Sequence, residues 1–421
     1  MSSNKFEGRL PRVSNWVQAL DLSYNSFSGP LYTLLCHSET NQTDLEYLDL
    51  SNNYLTQELP DCWNNWRSLF YIYLGNNQLT GRVPPMMGSS LPDLRALDLH
   101  NNGFSGDIPS TFNNCKSLLL LNLEANNFSG DIQAWMPQDI SIVKLRSNQF
   151  TGNIPLQLCR LFKLMVLDLA NNELSGSIPH CLHNTTSLSL RDLEHVLHVQ
   201  PSHYELPSRD EFMKIDLHTK GQQLEYQKNL KLVRSIDLSA NRLSGEIPMQ
   251  LFKLTELQSL NLSYNYLIGE IPKHIGEMKN LESLDLSHNN LHGNIPQSMS
   301  GLSFLSVLNL SYNHFSGQIP LGTQLQSFDA WSYAGNPDLC GPPLQKHCTI
   351  PDNTEKVEEN EDDGFLKSLY LGMGVGFAVG FWVVCGSLVL NRAWRHSYFR
   401  FFNGVVDRIY VIVAIKLQKF R

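Results

Sequence analysis

Leucines recur along this chain at a constant interval. From residue 230 to 320 it reads LVRSIDLSANRLSGEIP, LQSLNLSYNYLIGEIP, LESLDLSHNNLHGNIP and LSVLNLSYNHFSGQIP, and Asn241, Asn265, Asn289 and Asn313 stand 24 residues apart. In a Leu-x-Leu pair such as Leu260 and Leu262, alternate side chains of a short strand point to opposite faces. The leucines therefore turn inward and the residue between them faces solvent. The Asn that follows sits at a turn, where its amide can pair with backbone groups otherwise buried without partners. A Gly four residues later marks close backbone passage. One such unit cannot cover its own apolar side, so neighbours must stack.

The same register extends backward through Asn4, Asn25, Asn53, Asn77, Asn102, Asn126, Asn148 and Asn172. Gly lies four residues after the Asn in eleven of twelve repeats, and only Gln57 departs. Pairs such as Val83-Pro84 and Ile154-Pro155 place an N–H-less residue on the far side, away from the paired sheet. The fold class expected is an α/β-type solenoid, a leucine-rich repeat with a parallel sheet on the concave face and irregular or 3-10 convex turns, plus one transmembrane α-helix. Residues 1–188 are repeats, 189–229 a polar, His-containing island and 230–321 four further repeats. After Pro320 the period is expected to stop, with 322–350 as a terminal cap and 351–368 as an acidic linker. Met1 fills a leucine slot three residues before Asn4, and no signal peptide is legible at the start. The chain is thus expected to be part of a longer protein or a truncated product.

Residues 369–390 carry no charge and suffice to span a bilayer. Arg392, Arg395 and Arg400 follow, so the positive-inside rule puts the tail, 391–421, in the cytoplasm and the repeats outside. The expected location is the plasma membrane, as a single-pass type I protein. Gly372, Gly376 and Gly380 share one helix face and permit close approach of a partner helix.

An outside location changes how the cysteines and sequons read. Cys36 and Cys62 recur in the same phases as Cys159 and Cys181, which argues for inter-repeat disulfides, and Cys340 with Cys348 would close the cap. Cys115 falls in a core slot. Candidate glycosylation sites are Asn41, Asn127, Asn184, Asn261 and Asn309. The last two project from the concave sheet, where glycans would limit partner access.

The net charge of −8 and the lack of a basic block in the repeats exclude a nucleic-acid partner. There is no phosphate loop, metal-spaced cluster or nucleophile motif, so neither cofactor nor enzymatic activity is expected. Asp21, Asp49, Asp98, Asp168, Asp237 and Asp285 form one column on the strands. Neighbours there approach the spacing of a glycosidase pair, but an open, solvated face would not separate their pKa values. Binding is the stronger reading. The concave positions are monotonous serines near the C-terminal end but varied in the middle, at Tyr47, Tyr71, Tyr73, Arg95, His100, Glu124, Lys144 and Arg146. Aromatics and arginine on an exposed, rigid sheet are interface anchors.

The repeat Leu-x-x-Leu-x-Leu-x-x-Asn-x-Leu-x-Gly-x-Ile-Pro is of the plant extracellular type. With the island end Thr219-Lys-Gly…Glu225-Tyr226, the Gly322-Thr-Gln-Leu-Gln-Ser-Phe and Gly335-Asn-Pro-Asp-Leu-Cys-Gly-Pro-Pro segments and the tail Trp394-Arg-His-Ser-Tyr-Phe, the whole chain resembles kinase-less plant receptor-like proteins, apparently truncated at the N-terminus. The nearest type is the ethylene-inducing xylanase receptor and scab-resistance group. The resemblance implies a defence receptor for a microbial protein or peptide. It also implies an adaptor receptor kinase contacted through the membrane helix, and a co-receptor kinase contacted through the island and last four repeats. Alternatives are a developmental peptide receptor subunit and a non-functional fragment. A soluble inhibitor of wall enzymes fits poorly with a membrane helix.

Overall fold

The turn asparagines hold the repeats in register. In the computed structural model, Asn265 Nδ2 donates to the carbonyls of Leu262 and Ser263 in its own repeat and to Leu238 in the preceding one, at 3.0–3.2 Å. Its Oδ1 accepts the Leu243 N–H at 3.0 Å. Each buried amide thus satisfies backbone groups of two repeats at once, and the same set recurs at Asn53, Asn148 and Asn313. The residue before each Asn lies in the left-handed region, at φ near +50°. The glycine four residues on is also left-handed, and Gln57 adopts the same φ of +74° without glycine's freedom.

The structure describes residues 1–36, 43–132, 135–185, 215–219, 222–226 and 230–348. Asn41, most of the island, the acidic linker, segment 369–390 with Gly372, Gly376 and Gly380, and the tail lie outside them. Among the described residues no helix is long and apolar enough to cross a membrane.

The concave sheet has eleven parallel strands of three residues each, from Ala19–Asp21 to Val307–Asn309. Its order follows the sequence, and it crosses the island without a break. Val166 pairs with Ser235 and Asp168 with Asp237, as if the intervening residues were absent. A second layer of parallel strands, where the sequence pattern predicts irregular turns, runs along the flank in sheets of seven and six strands. It forms because the Asn-x-Leu-x-Gly segment leaves the turn extended and meets its copy in the next repeat. On the convex side 3-10 turns follow the prolines, as Met249–Lys253 follows Pro248. Between these layers lies one continuous core of leucines, with stacked Phe104, Phe128 and Phe150 at 6.1 and 6.2 Å.

Cys36 is bonded to Cys62, Cys159 to Cys181 and Cys340 to Cys348, with Cα separations of 5.4, 5.4 and 5.0 Å. Cys115 is a buried free thiol. The period does not stop at Pro320. Asn336 takes one more step of the ladder, donating to the Leu310 and Tyr333 carbonyls and accepting the Phe315 N–H. Asp338–Cys340 then pairs with His314–Gln318 as a last flank strand. The residues before Asn336 lack the Leu-x-Leu pattern, which hid this repeat in the sequence.

Candidate functional site

The outward strand slot six residues before the turn Asn holds Ala19, Tyr47, Tyr71, Ala96, Leu120, Ile142 and Val166, then Ser235, Ser259, Ser283 and Val307. Apolar residues in a slot that should face water need a cover. The island supplies it. Its described part is an antiparallel hairpin, Ile215–Thr219 and Gln222–Tyr226, with Ile215 opposite Tyr226. Ile215 and Leu217 are buried in one cluster with Tyr71, Tyr73, Ala96, Leu120, Ile142, Met165 and Val166. Full burial of each such aliphatic side chain is worth about 1.5–3 kcal/mol. The hairpin is therefore seated on the concave floor of the middle repeats rather than standing off from it. Leu120, Ile142 and Val166 are the seat that the sequence reading missed, and its signal was leucine and isoleucine at outward positions.

This seating overturns the expectation of an open, solvated middle face. Tyr71 and Tyr73 are 7% and 6% exposed and Lys144 is fully buried. Tyr47 is half-buried, and its hydroxyl donates to Asp49 Oδ2 at 3.2 Å. Lys144 Nζ donates both to the Glu124 carboxylate and to the Asp216 carbonyl of the hairpin, so it ties island to sheet. Arg146 lies between two carboxylates, at 2.8 Å from Asp168 and in contact with Asp237. Arg95 lays its guanidinium over the Phe70 ring, 5.0 Å from the centroid. His100 Nδ1 donates to Asp98. The eight expected ligand residues are thus neighbours, but several are already engaged within the fold.

The aspartate column is likewise less solvated than expected. Asp98, Asp168 and Asp237 are buried. Burial, with Asp168 alongside, pushes Asp237 up to about 6 against the pull of Arg146. Burial alone would raise Asp98, yet the adjoining His100 and the hydrogen bonds it receives hold it below the usual carboxylate range. Asp49 is raised by burial, with Asp21 adding to the effect. These carboxylates nevertheless have a structural task. Asp21, Asp49 and Asp237 each accept from the N–H and hydroxyl of the serine two residues on, closing the turn. A cavity of about 440 Å³ remains at the hairpin's edge, lined by Asp21, Tyr47, Asp49, His100, Glu124 and Asp216 among others.

Beyond the island the floor is serine-lined, and another feature takes over at the rim. Tyr264, His288 and Tyr312 stack face to face, with centroids 4.1 and 4.3 Å apart. Tyr264 is 57% and Tyr312 52% exposed. The same slot holds Ala125, Ser147 and Ala240 in earlier repeats, so the fold does not require aromatics there. Among the sequons, Asn127 and Asn184 are exposed, whereas Asn261 and Asn309 are half-buried. The amide oxygens of Asn261 and Asn309 accept from Ser263 and Ser311 of their own sequons.

Leucine rich repeat family models match residues 267–315 and also 44–66, 93–115 and 163–185. Receptor-like protein EIX2 of Solanum lycopersicum is 44% identical over 417 residues, which is 96% of this chain and 40% of that protein. Receptor-like protein EIX1 of the same plant is 55% identical over 206 residues, 47% of this chain and 20% of its own length. The chain therefore spans less than half the length of these relatives. Among solved structures, the Arabidopsis receptor kinase HAESA, in complex with the peptide hormone IDA and the co-receptor SERK1, superposes with a TM-score of 0.61 at 30% identity. That match covers 82% of this chain and 54% of HAESA. PEPR1 with AtPEP1 gives 0.54 at 28% identity, over 81% and 48%.

Proposed function

Because the chain belongs to the leucine-rich-repeat receptor-like proteins of plants, of the EIX type, we propose that it is a non-enzymatic cell-surface receptor. It recognises an extracellular, microbial protein or peptide and signals in defence through a partner receptor kinase. The observation that carries this reading is the island hairpin locked onto the concave floor by Lys144 and the apolar seat. Together they make one rigid, mixed surface bordered by Tyr47, Arg95 and His100. Preorganised surfaces of this kind bind at low ordering cost. The similarity to HAESA and PEPR1, solved with IDA and AtPEP1, supports a peptide-sized ligand and leaves a developmental receptor subunit as a second reading.

Two partner contacts complete the proposal. An adaptor kinase meets the Gly372, Gly376 and Gly380 face of segment 369–390. A co-receptor kinase meets the island and the last four repeats, where the Tyr264–His288–Tyr312 stack presents exposed aromatic area in a slot that Ala or Ser fills in earlier repeats. The solenoid lies outside a plasma membrane, carries its glycans at Asn127 and Asn184 and keeps its three disulfides oxidised.

The test is expression of the full chain in plant cells lacking it, challenge with a panel of secreted microbial proteins that includes a xylanase, and measurement of the oxidative burst. A gain of response lost in the Tyr47→Ala, His100→Ala double variant supports the reading. Equal bursts with and without the chain would sink it.

A further inference from the structure

The cavity of about 440 Å³ at the edge of the island hairpin falls within the range of roughly 300–1,000 Å³ that ligand pockets occupy. Its wall holds an imbalance found nowhere else along the aspartate row. Oδ2 of Asp98, Asp168, Asp237 and Asp285 each meets an amide or a guanidinium from another repeat. Asn122 donates to Asp98 at 3.1 Å, Arg146 to Asp168 at 2.8 Å and also to Asp237, and Asn309 to Asp285 at 3.3 Å. Asp21 and Asp49 depart from this arrangement. They stand opposite each other on neighbouring strands, carboxylate beside carboxylate, with the strands about 4.8 Å apart. Asp49 Oδ2 receives only the Tyr47 hydroxyl, and Asp21 Oδ2 accepts no hydrogen bond from the described residues. The basic groups in the same wall are committed elsewhere, Lys144 to Glu124 and the Asp216 carbonyl, and His100 to Asp98.

Both carboxylates are held in place. Oδ1 of each accepts the N–H and hydroxyl of Ser23 or Ser51 at 2.6–3.0 Å, which fixes the direction of the other oxygen. Aromatic rings complete the wall. Tyr47 and Tyr73 lie with centroids 5.8 Å apart and planes tilted by 46°, and the exposed Tyr24 lines the cavity beside them.

We propose that this cavity is a subsite for the guanidinium or ammonium side chain of an arginine or lysine in the extracellular ligand. It rests on the receptor function proposed above and adds the chemistry that the ligand must carry. A guanidinium presents a planar fork of donors that bridges the outer oxygens of two carboxylates. A cation within about 6 Å of a tyrosine ring centroid gains further attraction from the ring face. Its arrival also relieves the repulsion between Asp21 and Asp49. The carboxylates and rings are already in position, so little ordering cost is incurred, and the same groups repel an acidic side chain.

The test is calorimetric titration of the full chain, in detergent micelles, with alanine-based octapeptides identical except for one central residue: Arg, Lys, citrulline or Glu. The Arg and Lys peptides should bind, with citrulline at least tenfold weaker than Arg and Glu weaker still. In the Asp21→Asn, Asp49→Asn double variant, Arg and citrulline peptides should bind alike. That variant keeps its turns, because Asn261 and Asn309 fill the same slot and accept from Ser263 and Ser311 in the same way. No binding of the Arg peptide at millimolar concentration overturns the proposal, as does equal binding of Arg and citrulline or discrimination that survives in the double variant. The oxidative burst reads the receptor function separately. A burst without Arg discrimination removes the subsite alone, and discrimination without a burst removes the receptor reading alone.

Discussion

Arg146 is one cation serving two buried carboxylates, and that imbalance has a pH signature. Burial and Asp168 raise Asp237 to about 6. Over the window from about 4 to 6 the folded chain therefore holds a proton that the unfolded chain has released, so stability falls as pH rises through that window and levels off above it. The span of roughly two pKa units corresponds to about 3 kcal/mol. Denaturant titrations at pH 4.5 and 7 should show the decline, and Asp237→Asn should flatten it. Gln57 poses a second residue-scale question. Its left-handed backbone costs about 1–2 kcal/mol, while a glycine there loses about 0.5–1 kcal/mol more entropy on folding. Gln57→Gly is therefore expected to raise stability by up to about 1.5 kcal/mol, read as a higher denaturation midpoint.

At the scale of elements, the ladder and the hairpin respond to different substitutions. Asn265 makes four bonds to the backbones of two repeats. Asn265→Ala leaves buried peptide groups unpaired, each costing about 1–3 kcal/mol. The expected loss is at least 2 kcal/mol, with hydrogen exchange accelerating first around Leu238 and Leu262. Lys144 reaches the hairpin instead. Lys144→Met removes the bond to the Asp216 carbonyl and leaves Glu124 without its cation. Exchange at residues 215–219 should then speed at least tenfold while the ladder amides keep their protection. Equal acceleration in both places would mean that hairpin and solenoid open together.

At the scale of the whole molecule, the island is an addition to a stack that is complete without it. Val166 already pairs with Ser235 across it, and a solenoid's stability is carried by neighbour interfaces. Replacing residues 189–229 with a short Gly/Ser linker should leave the circular dichroism of the repeats unchanged. It would uncover Tyr71, Leu120, Ile142, Met165 and Val166 together, a contiguous apolar patch of the kind that promotes association. Increased dye binding and self-association are the expected readouts. A loss of repeat structure would show that the island holds the two halves together.

The period, the inward leucines, the two faces and the asparagine turns were legible in the sequence because each is set locally. Side-chain alternation and a 24-residue register decide them, and every repeat restates the same instruction. Asn336 escaped because its repeat keeps the amide and drops the leucines. The flank sheet escaped because most of its strands hold one buried apolar residue close to a Gly, as Leu291 close to Gly293, a composition that reads as a turn. The state of the middle face was beyond local reading. Lys144 and Asp216 are 72 residues apart, and nothing in either segment announces the other. Which side chains lie along the concave sheet followed from the sequence by itself. Whether they meet solvent or an island was decided only by the tertiary structure, because burial is a property of what comes to rest on a surface and not of the residues that compose it.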